Sequence, residues 1–344
     1  MGKTTIFDVA GRAGVSIKTV SRVVNNEPNV REATRERVNK AIDALNYRPD
    51  RSARILAGNR THLIGLVYDD PAYYETPSAG YVIRMQQGAL DACREADCEL
   101  LIHPCNYREH TVGKQLRTMI ETAKPDGIVL AAPLSNMPKI VRAMSSTDTP
   151  FVGISSGRKH RKQFAVSTTD RESSAEMTRY LASLGHKRIA FLTGHSEHAA
   201  VQSRLDGYRD GLEESGIDFS EELVVAGDNS IGSGESAAET LLALKRPPTA
   251  IFAANDDMAA GVIRVADSLG IDVPGQLSVA GCDDVALAQQ IYPALTTIRQ
   301  PLAAMAKRAT EELIEHSRGQ SPFVGEEVFP GAIVIRESTG PAPG

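Results

Sequence analysis

The sequence predicts an all-α helix-turn-helix headpiece over residues 1–48, a hinge helix or linker over 49–60, and an α/β domain of two Rossmann-like subdomains over 61–344. The chain has 344 residues, too many for one ordinary domain. Beyond residue 61, short apolar runs alternate with helical patterns. Residues 1–60 carry 12 Lys and Arg against 6 Asp and Glu, whereas the whole chain carries 38 against 43. A basic segment on an acidic body indicates that only the first part meets a polyanion.

Three short amphipathic helices are predicted in the headpiece. Thr5 and Asp8, three residues apart, are typical of a helix start. Gly14 interrupts the apolar period, and Ser16 is the predicted N-cap of the second helix. A third helix is predicted over Glu32–Leu45. Helix, glycine-containing turn and helix make the helix-turn-helix pattern.

The polar face of the second helix favours contact with duplex DNA. Lys18 and Arg22 lie one turn apart, so both can reach base edges in a major groove about 12 Å wide. Ser16, Thr19 and Asn25 are short donors suited to the flanking phosphates. The alternative is a three-helix bundle that binds another protein.

The segment that follows the headpiece has the properties of a conditional helix. Pro49 suits a first helical turn and Gly58 suits its end, which leaves about two turns, too few to be stable alone in water. The segment also carries arginines and an exposed leucine, Leu56. A linker that folds only on DNA and inserts Leu56 into the minor groove explains this mixture. A flexible linker with a chance leucine is the alternative.

Residues 4–58 resemble the lactose-repressor/galactose-repressor (LacI/GalR) family of transcriptional regulators. The resemblance lies in the runs T-I-F-D-V-A-G-R-A-G-V-S-I-K-T-V-S-R-V-V-N-N, T-R-E-R-V and L-N-Y-R-P-D-R-S-A-R-I-L-A-G. It implies that bases are read by Ile17, Lys18 and Arg22. It implies backbone contacts from Ser16, Thr19, Asn25, Thr34 and Tyr47. The hinge contacts in the minor groove would come from Ala53, Arg54 and Leu56.

Strand-helix alternation predicts parallel sheets covered by helices on both faces. The strands are predicted at Leu63–Tyr68, Glu99–His103, Gly127–Ala131, Phe151–Ile154, Arg188–Thr193, Leu223–Ala226, Ala250–Ala253 and Leu277–Gly281. The helices include Tyr81–Glu95, Arg171–Leu184, Val201–Glu214, Ser236–Leu244 and Asp256–Leu269. These eight strands are more than one open sheet of usual size contains, so we expect them to form two subdomains.

The family resemblance continues in segments such as L-I-G-L-V, L-G-H-K-R-I-A-F-L-T-G and F-A-A-N-D-D-M-A. It implies a periplasmic-binding-protein-like domain in which the chain crosses between subdomains near residues 162, 290 and 322. The expected N-subdomain is then 61–161 with 291–321, and the expected C-subdomain is 162–290 with 322–340.

Ligands of doubly wound sheets bind at the carboxyl ends of the strands, and the residues there are mostly polar in this chain. Arg and Asp side chains suit the neighbouring hydroxyls of a sugar ring, and Tyr73 could stack on its apolar face. The predicted effector site comprises Asp69, Tyr73, Ser155, Arg204, Asn229, Asn255, Asp283 and Gln300, the last five by the family resemblance. The expected effector is a sugar or sugar derivative, with a purine as the alternative.

Two sequence patterns resemble enzyme motifs without their context. Gly153–Gly157 reads G-x-S-x-G, but a basic run at 158–162 follows it where a nucleophile elbow needs a helix. Gly232–Ala237 reads G-x-G-x-x-A, but it begins several residues after the preceding strand. We therefore expect a regulator rather than an enzyme, with no catalytic residue, no metal and no cofactor.

The remaining expectations concern location and assembly. No apolar run is long enough to cross a bilayer, the N-terminus lacks the features of a secretory signal, and the four cysteines show no paired spacing. These observations predict a cytoplasmic protein. The C-terminal tail has no leucine heptads, which argues against a tetramer built on a C-terminal coiled coil, so we expect a homodimer. The family resemblance implies that this homodimer acts as a repressor on palindromic double-stranded operator DNA.

Overall fold

The computed structural model describes residues 4–24, 29–47, 60–70, 79–155 and 164–344. The chain divides into two compact units, Met1–Thr61 and His62–Gly344. Some of the predicted contact residues lie outside the described residues: Asn25, Ala53, Arg54, Leu56 and Tyr73.

The first unit contains the three predicted helices, α1 (Ile6–Ala13), α2 (Ile17–Val24) and α3 (Glu32–Ala44). The backbone N–H of Thr5 donates to the Asp8 carboxylate at 2.8 Å, as the predicted helix start requires. Gly14 ends α1 with φ 64°, a left-handed conformation that favours glycine. The N–H of Thr19 donates to the hydroxyl of Ser16 at 3.2 Å, so Ser16 caps α2. The three helices share a buried core, which is formed by Val9, Ala10, Ala13, Val20, Val23, Val38, Ala41 and Tyr47.

The described part of the second unit contains twelve strands. They are β1 (Leu63–Asp69), β2 (Glu99–Cys105), β3 (Gly127–Leu130), β4 (Phe151–Ile154), β5 (Phe164–Thr168), β6 (Ile189–Thr193), β7 (Val224–Ala226), β8 (Ala250–Ala253), β9 (Ser278–Asp283), β10 (Thr296–Arg299), β11 (Gly325–Phe329) and β12 (Ala332–Val334).

Nine α-helices accompany these strands in the described residues. They are α4 (Gly80–Glu95), α5 (Val112–Ala123), α6 (Pro138–Ser145), α7 (Asp170–Ser183), α8 (Ala199–Glu214), α9 (Ile231–Leu242), α10 (Asp256–Ser268), α11 (Leu287–Gln290) and α12 (Leu302–Ser317). Among the described residues, none of the helices has the length and apolar character needed to cross a membrane.

The strands form two six-stranded sheets. The order of the first is β11-β5-β4-β3-β1-β2, all parallel, and its subdomain is called the N-lobe here. The order of the second is β12-β10-β9-β8-β6-β7, in which only β12 is antiparallel, and its subdomain is called the C-lobe. Every residue of β3 and β8 is buried, as expected for parallel strands covered on both faces. The predicted pair of Rossmann-like subdomains is confirmed.

Four strands were missed, β5, β10, β11 and β12, and the predicted boundaries between the subdomains are wrong because of the first three. Strand β5 belongs to the N-lobe sheet, so the chain leaves that lobe after Thr168 rather than near 162. Strand β10 belongs to the C-lobe sheet, which moves the second crossing from 290 to after Arg299. Strand β11 completes the N-lobe sheet, so the third crossing follows Phe329 rather than 322. Strand β10 begins with two threonines and β11 begins with Gly-Glu-Glu, so neither reads as an apolar run, and only the first three residues of β5 are apolar.

Each lobe contains at least one pair of helices that pack with a glycine at the contact. A β-carbon on Gly88 of α4 would overlap the backbone carbonyl of Ala303 in α12. A β-carbon on Gly207 of α8 would likewise overlap the backbone carbonyl of Arg171 in α7. Both positions require glycine because backbone, not a movable side chain, fills the space.

Candidate functional site

Helix α2 of the headpiece presents the predicted base-reading residues on its outer side. Val20 and Val23 are buried in the core, whereas Ile17 is 40% exposed and Lys18 is exposed. Arg22 is half-buried on the same helix.

The predicted backbone-contact residues have different surroundings. The hydroxyls of Ser16 and Thr19 lie 2.9 Å apart at the start of α2, and Thr34 is half-buried in the first turn of α3. Tyr47 is 8% exposed because it packs in the headpiece core, which leaves little of its ring for contact with DNA. Its predicted contact, like those of the others, stays a prediction.

A cavity lies between the two lobes at the carboxyl ends of their strands. Its volume of about 130 Å³ is roughly ten times the minimum that one water molecule needs. The polar and aromatic side chains of its lining are Tyr68, Asp69, Tyr81 and Ser155 from the N-lobe and His198, Arg204, Asp228, Asn229, Ser230, Asn255, Asp257 and Asp283 from the C-lobe. Six of the eight predicted effector residues therefore lie in one cavity.

Arg204 is the centre of the polar lining. Its guanidinium is buried, with Nε donating to Asp170 at 2.8 Å and Nη1 donating to the carbonyl of Ala254 at 2.5 Å. Nη2 lies 4.0 Å from a carboxylate oxygen of Asp283. Burial by itself would lower the pKa of Arg204, but Cys282 and the two carboxylates outweigh it and raise the pKa. The guanidinium is therefore charged and held in place.

Gln300 contributes to the site indirectly. Its side-chain amide donates to the carboxylate of Asp283, but Gln300 is not among the residues that line the cavity. Burial raises the pKa of Asp283, against the opposing effect of Arg204. The structure thus places Gln300 behind Asp283, where it orients that carboxylate.

Asn229 and Asn255 occupy adjoining turns of the C-lobe. The Asn255 amide donates to the carbonyl of Asn229 at 2.9 Å, and its oxygen accepts from the N–H of Met258 at 3.0 Å. Asn255 therefore caps α10 as well as lining the cavity. Asn229 has φ 72°, and the side-chain oxygen of Asn229 occupies the space that a β-carbon on Gly194 would need.

The N-lobe side of the cavity depends on the ends of β1 and β4, which flank β3 in the sheet. Asp69 is the last residue of β1, and Ser155 follows β4 with φ 51°. The N–H of Ser155 donates to Val166 at 2.8 Å, and the carbonyl of Ser155 accepts from the Asn136 amide at 2.9 Å. Two strand ends with fixed backbone positions therefore bring both residues to the cavity.

Two lobe-to-lobe contacts lie beside the cavity. The hydroxyl of Tyr107 is 2.6 Å from Nε2 of His195, and the N–H of Ala199 donates to Asn136 at 3.4 Å. Nδ1 of His195 accepts from the N–H of Glu197 at 3.3 Å, so Nε2 carries the proton in the neutral ring and donates to Tyr107.

The sequence reasoning missed four lining residues of particular chemical interest: Tyr81, His198, Asp228 and Asp257. Tyr81 belongs to the first turn of α4 and His198 precedes α8, so neither directly follows a strand. Burial lowers the pKa of His198 to about 3, so its ring is neutral at pH 7. A search of helix N-termini could have found Tyr81, His198 and Asp257. Asp228 lies two residues after β7, within reach of the strand-end rule that selected Asn229.

The G-x-G-x-x-A pattern has a packing explanation. Gly232 and Gly234 lie inside α9 rather than in a loop. A β-carbon on Gly234 would overlap the backbone of Met258 in α10, so the glycine allows the two helices to pack closely. This supports the rejection of a dinucleotide fingerprint.

Two family models match the chain. Residues 5–50 match the model described as "Bacterial regulatory proteins, lacI family", and residues 178–339 match a periplasmic binding protein-like domain. The chain is 33% identical over 341 residues to the HTH-type transcriptional regulator DegA of Bacillus subtilis, covering 98% of this chain and 99% of that protein. The chain belongs to the LacI family. It is a DNA-binding transcriptional regulator.

Other relatives and solved structures agree with this membership. The HTH-type transcriptional regulator GalR of Escherichia coli is 34% identical over 310 residues, 89% of this chain and 87% of that protein. A crystal structure of the lac repressor dimer bound to operator and the anti-inducer ONPF has a TM-score of 0.80 at 26% identity, covering 98% of this chain and all of that one. The transcriptional regulator CelR in complex with cellobiose has a TM-score of 0.75 at 28% identity over the same shares. These relatives are regulators, which confirms the prediction of a regulator rather than an enzyme.

Proposed function

We propose that this LacI-family regulator is a repressor whose affinity for its operator is controlled by a sugar or sugar derivative bound between the two lobes. The observation that carries the proposal is the fixed Arg204–Asp283 pair in a cavity lined from both lobes. A guanidinium and a carboxylate offer directional donors and acceptors for neighbouring ring hydroxyls. The complex of CelR with cellobiose supports a sugar as the ligand class.

The DNA contacts of the proposal follow the family resemblance. Base edges in the major groove are read by Ile17, Lys18 and Arg22, and the backbone is contacted by Ser16, Thr19, Asn25, Thr34 and Tyr47. The minor groove receives the hinge residues Ala53, Arg54 and Leu56. The exposure of Ile17 and Lys18 on α2 supports the first of these assignments.

Two copies of the chain would pair through the domain 61–344 and present two headpieces to a palindromic site. The lac repressor structure, a dimer on its operator, supports this arrangement. Ligand in the cleft changes the relation of the lobes and thereby the folding of the hinge segment 49–60. Coupling of this kind is typically worth about 1–3 kcal/mol.

The test begins with selection of an inverted-repeat duplex from a random library by the purified full chain. Operator affinity is then measured with and without a panel of sugars, and with nucleobases as the competing class, at one fixed salt concentration. We expect at least one sugar to change the operator affinity by about 5-fold to 150-fold in either direction. An effect confined to nucleobases, or no preference for any inverted repeat, would contradict the proposal.

A further inference from the structure

The described lining of the cavity carries more acidic than basic side chains. It contains the carboxylates of Asp69, Asp228, Asp257 and Asp283, but among the described residues Arg204 is its one lysine or arginine. His198 adds no charge at neutral pH because burial keeps its ring unprotonated. The described part of the lining thus presents four carboxyl groups against a single cation, and burial raises the pKa of one of them, Asp283, to about 7.

That cation is already engaged by the protein. Arg204 is 7% exposed, its Nε donates to Asp170 at 2.8 Å, and its Nη2 faces Asp283 at 4.0 Å. The third nitrogen of the guanidinium, Nη1, donates to the carbonyl of Ala254. An anionic ligand would therefore have to compete with two carboxylates for one guanidinium.

At least one of the acids stays ionised. Burial opposes ionisation of Asp228, but hydrogen bonds from Ser230 and Ser233 outweigh it and lower its pKa. The N–H of Ser230 donates to Oδ1 of Asp228 at 3.0 Å, and Asp228 lines the cavity. A sugar hydroxyl can donate a hydrogen bond to the Asp228 carboxylate, whereas the negatively charged oxygens of a phosphate or carboxylate ligand are repelled by it.

We propose that the cleft selects an uncharged sugar, whose hydroxyls donate to Asp69, Asp228, Asp257 and Asp283, and rejects sugar phosphates and sugar acids. This inference rests on the proposed function and narrows it to one class of effector. Apposed like charges in a closed site typically cost enough to weaken binding about 100-fold or more.

The test is calorimetric titration of the full chain with neutral sugars and their anionic counterparts. The neutral probes are glucose, galactose and cellobiose, and the anionic probes are glucose 6-phosphate, galactose 6-phosphate, glucuronate and galacturonate. The same compounds are added to operator-binding measurements. We expect a neutral probe to bind and to change operator affinity, with its phosphate and its uronate about 100-fold weaker.

A charge-removing variant checks the cause of the selectivity. Asp228→Asn keeps an oxygen for the Ser230 N–H but removes the charge, so the preference for the neutral sugar should fall about threefold to tenfold. Asp218→Asn removes an equal charge from an exposed position outside the cavity and should leave the preference unchanged.

The possible failures are distinct. Binding of a phosphate or uronate as tight as its neutral parent, with a matching effect on operator affinity, would overturn the inference and leave the proposed function standing. An unchanged preference in Asp228→Asn would overturn the charge argument. Binding by no sugar of either class would contradict the proposed function itself.

Discussion

The two lobes line the same cavity with different chemistry. The N-lobe contributes Tyr68, Tyr81, Val82, Ala132, Pro133 and Ser155, with Asp69 as its one charged residue among those described. The C-lobe contributes Arg204 and three of the four carboxylates, together with Asn229 and Asn255. Under the proposed function, the C-lobe would hold most of the polar groups of the effector, and the N-lobe would face it with an apolar and aromatic wall. A ligand that contacts both lobes in this way would favour one arrangement of the lobes over another.

The largest effect is expected when the positive charge at the centre of the C-lobe part of the lining is removed. Arg204→Met would leave Asp170 and Asp283 without their shared cation, so we expect unfolding to become easier by about 3–5 kcal/mol and effector binding to be lost. Urea denaturation and calorimetry measure the two effects. Arg209→Met, on the exposed side of the same helix, should cost less than about 1 kcal/mol. A stable Arg204→Met protein with normal effector affinity would contradict the role given to the C-lobe.

The two lobes should lose similar stability when a glycine at a helix–helix contact is replaced, because both contacts are built in the same way. Gly88→Ala in the N-lobe and Gly207→Ala in the C-lobe both force a methyl group against backbone, so each should lower the free energy of unfolding by about 1–3 kcal/mol. Gly11→Ala is the control, because a β-carbon there would have no neighbour within 4 Å, and alanine in a helix is favoured by about 0.5–1 kcal/mol. Urea denaturation followed by circular dichroism measures all three. Equal stability of Gly88→Ala and the unaltered chain would show that α4 and α12 do not pack as described.

The smallest effect is expected on the N-lobe wall. Tyr81→Phe removes one hydroxyl and keeps the ring, so effector affinity should fall about twofold to tenfold while operator affinity without effector stays the same. Calorimetry with the identified sugar and an operator titration measure these quantities. A loss as large as that of Arg204→Met would mean that the N-lobe carries polar recognition after all.

The headpiece and the cleft differ in how much the sequence could predict. Thr5 with Asp8, Gly14 and Ser16 are local signals, and each has the role in the helices that its spacing predicted. Short-range chemistry decides these features, so one sequence is sufficient.

The cleft depends on contacts between residues far apart in the chain. Arg204 and Asp283 were predicted and are brought together, whereas Tyr81 and His198 line the same cavity only because the two lobes approach each other. Strands β5, β10 and β11 were missed for the same reason, because their pairing partners depend on where the chain crosses between the lobes. Local periodicity carries no information about such crossings.

The central claim, that ligand in the cleft and operator on the headpiece act on one equilibrium, is tested most directly by reciprocity. Operator affinity is measured with and without saturating sugar, and sugar affinity is measured with and without saturating operator, on the same preparation at the same salt concentration. Linkage requires the two ratios to be equal, and we expect both to lie between about 5 and 150. Sugar that binds with the same affinity whether or not operator is present would contradict the account.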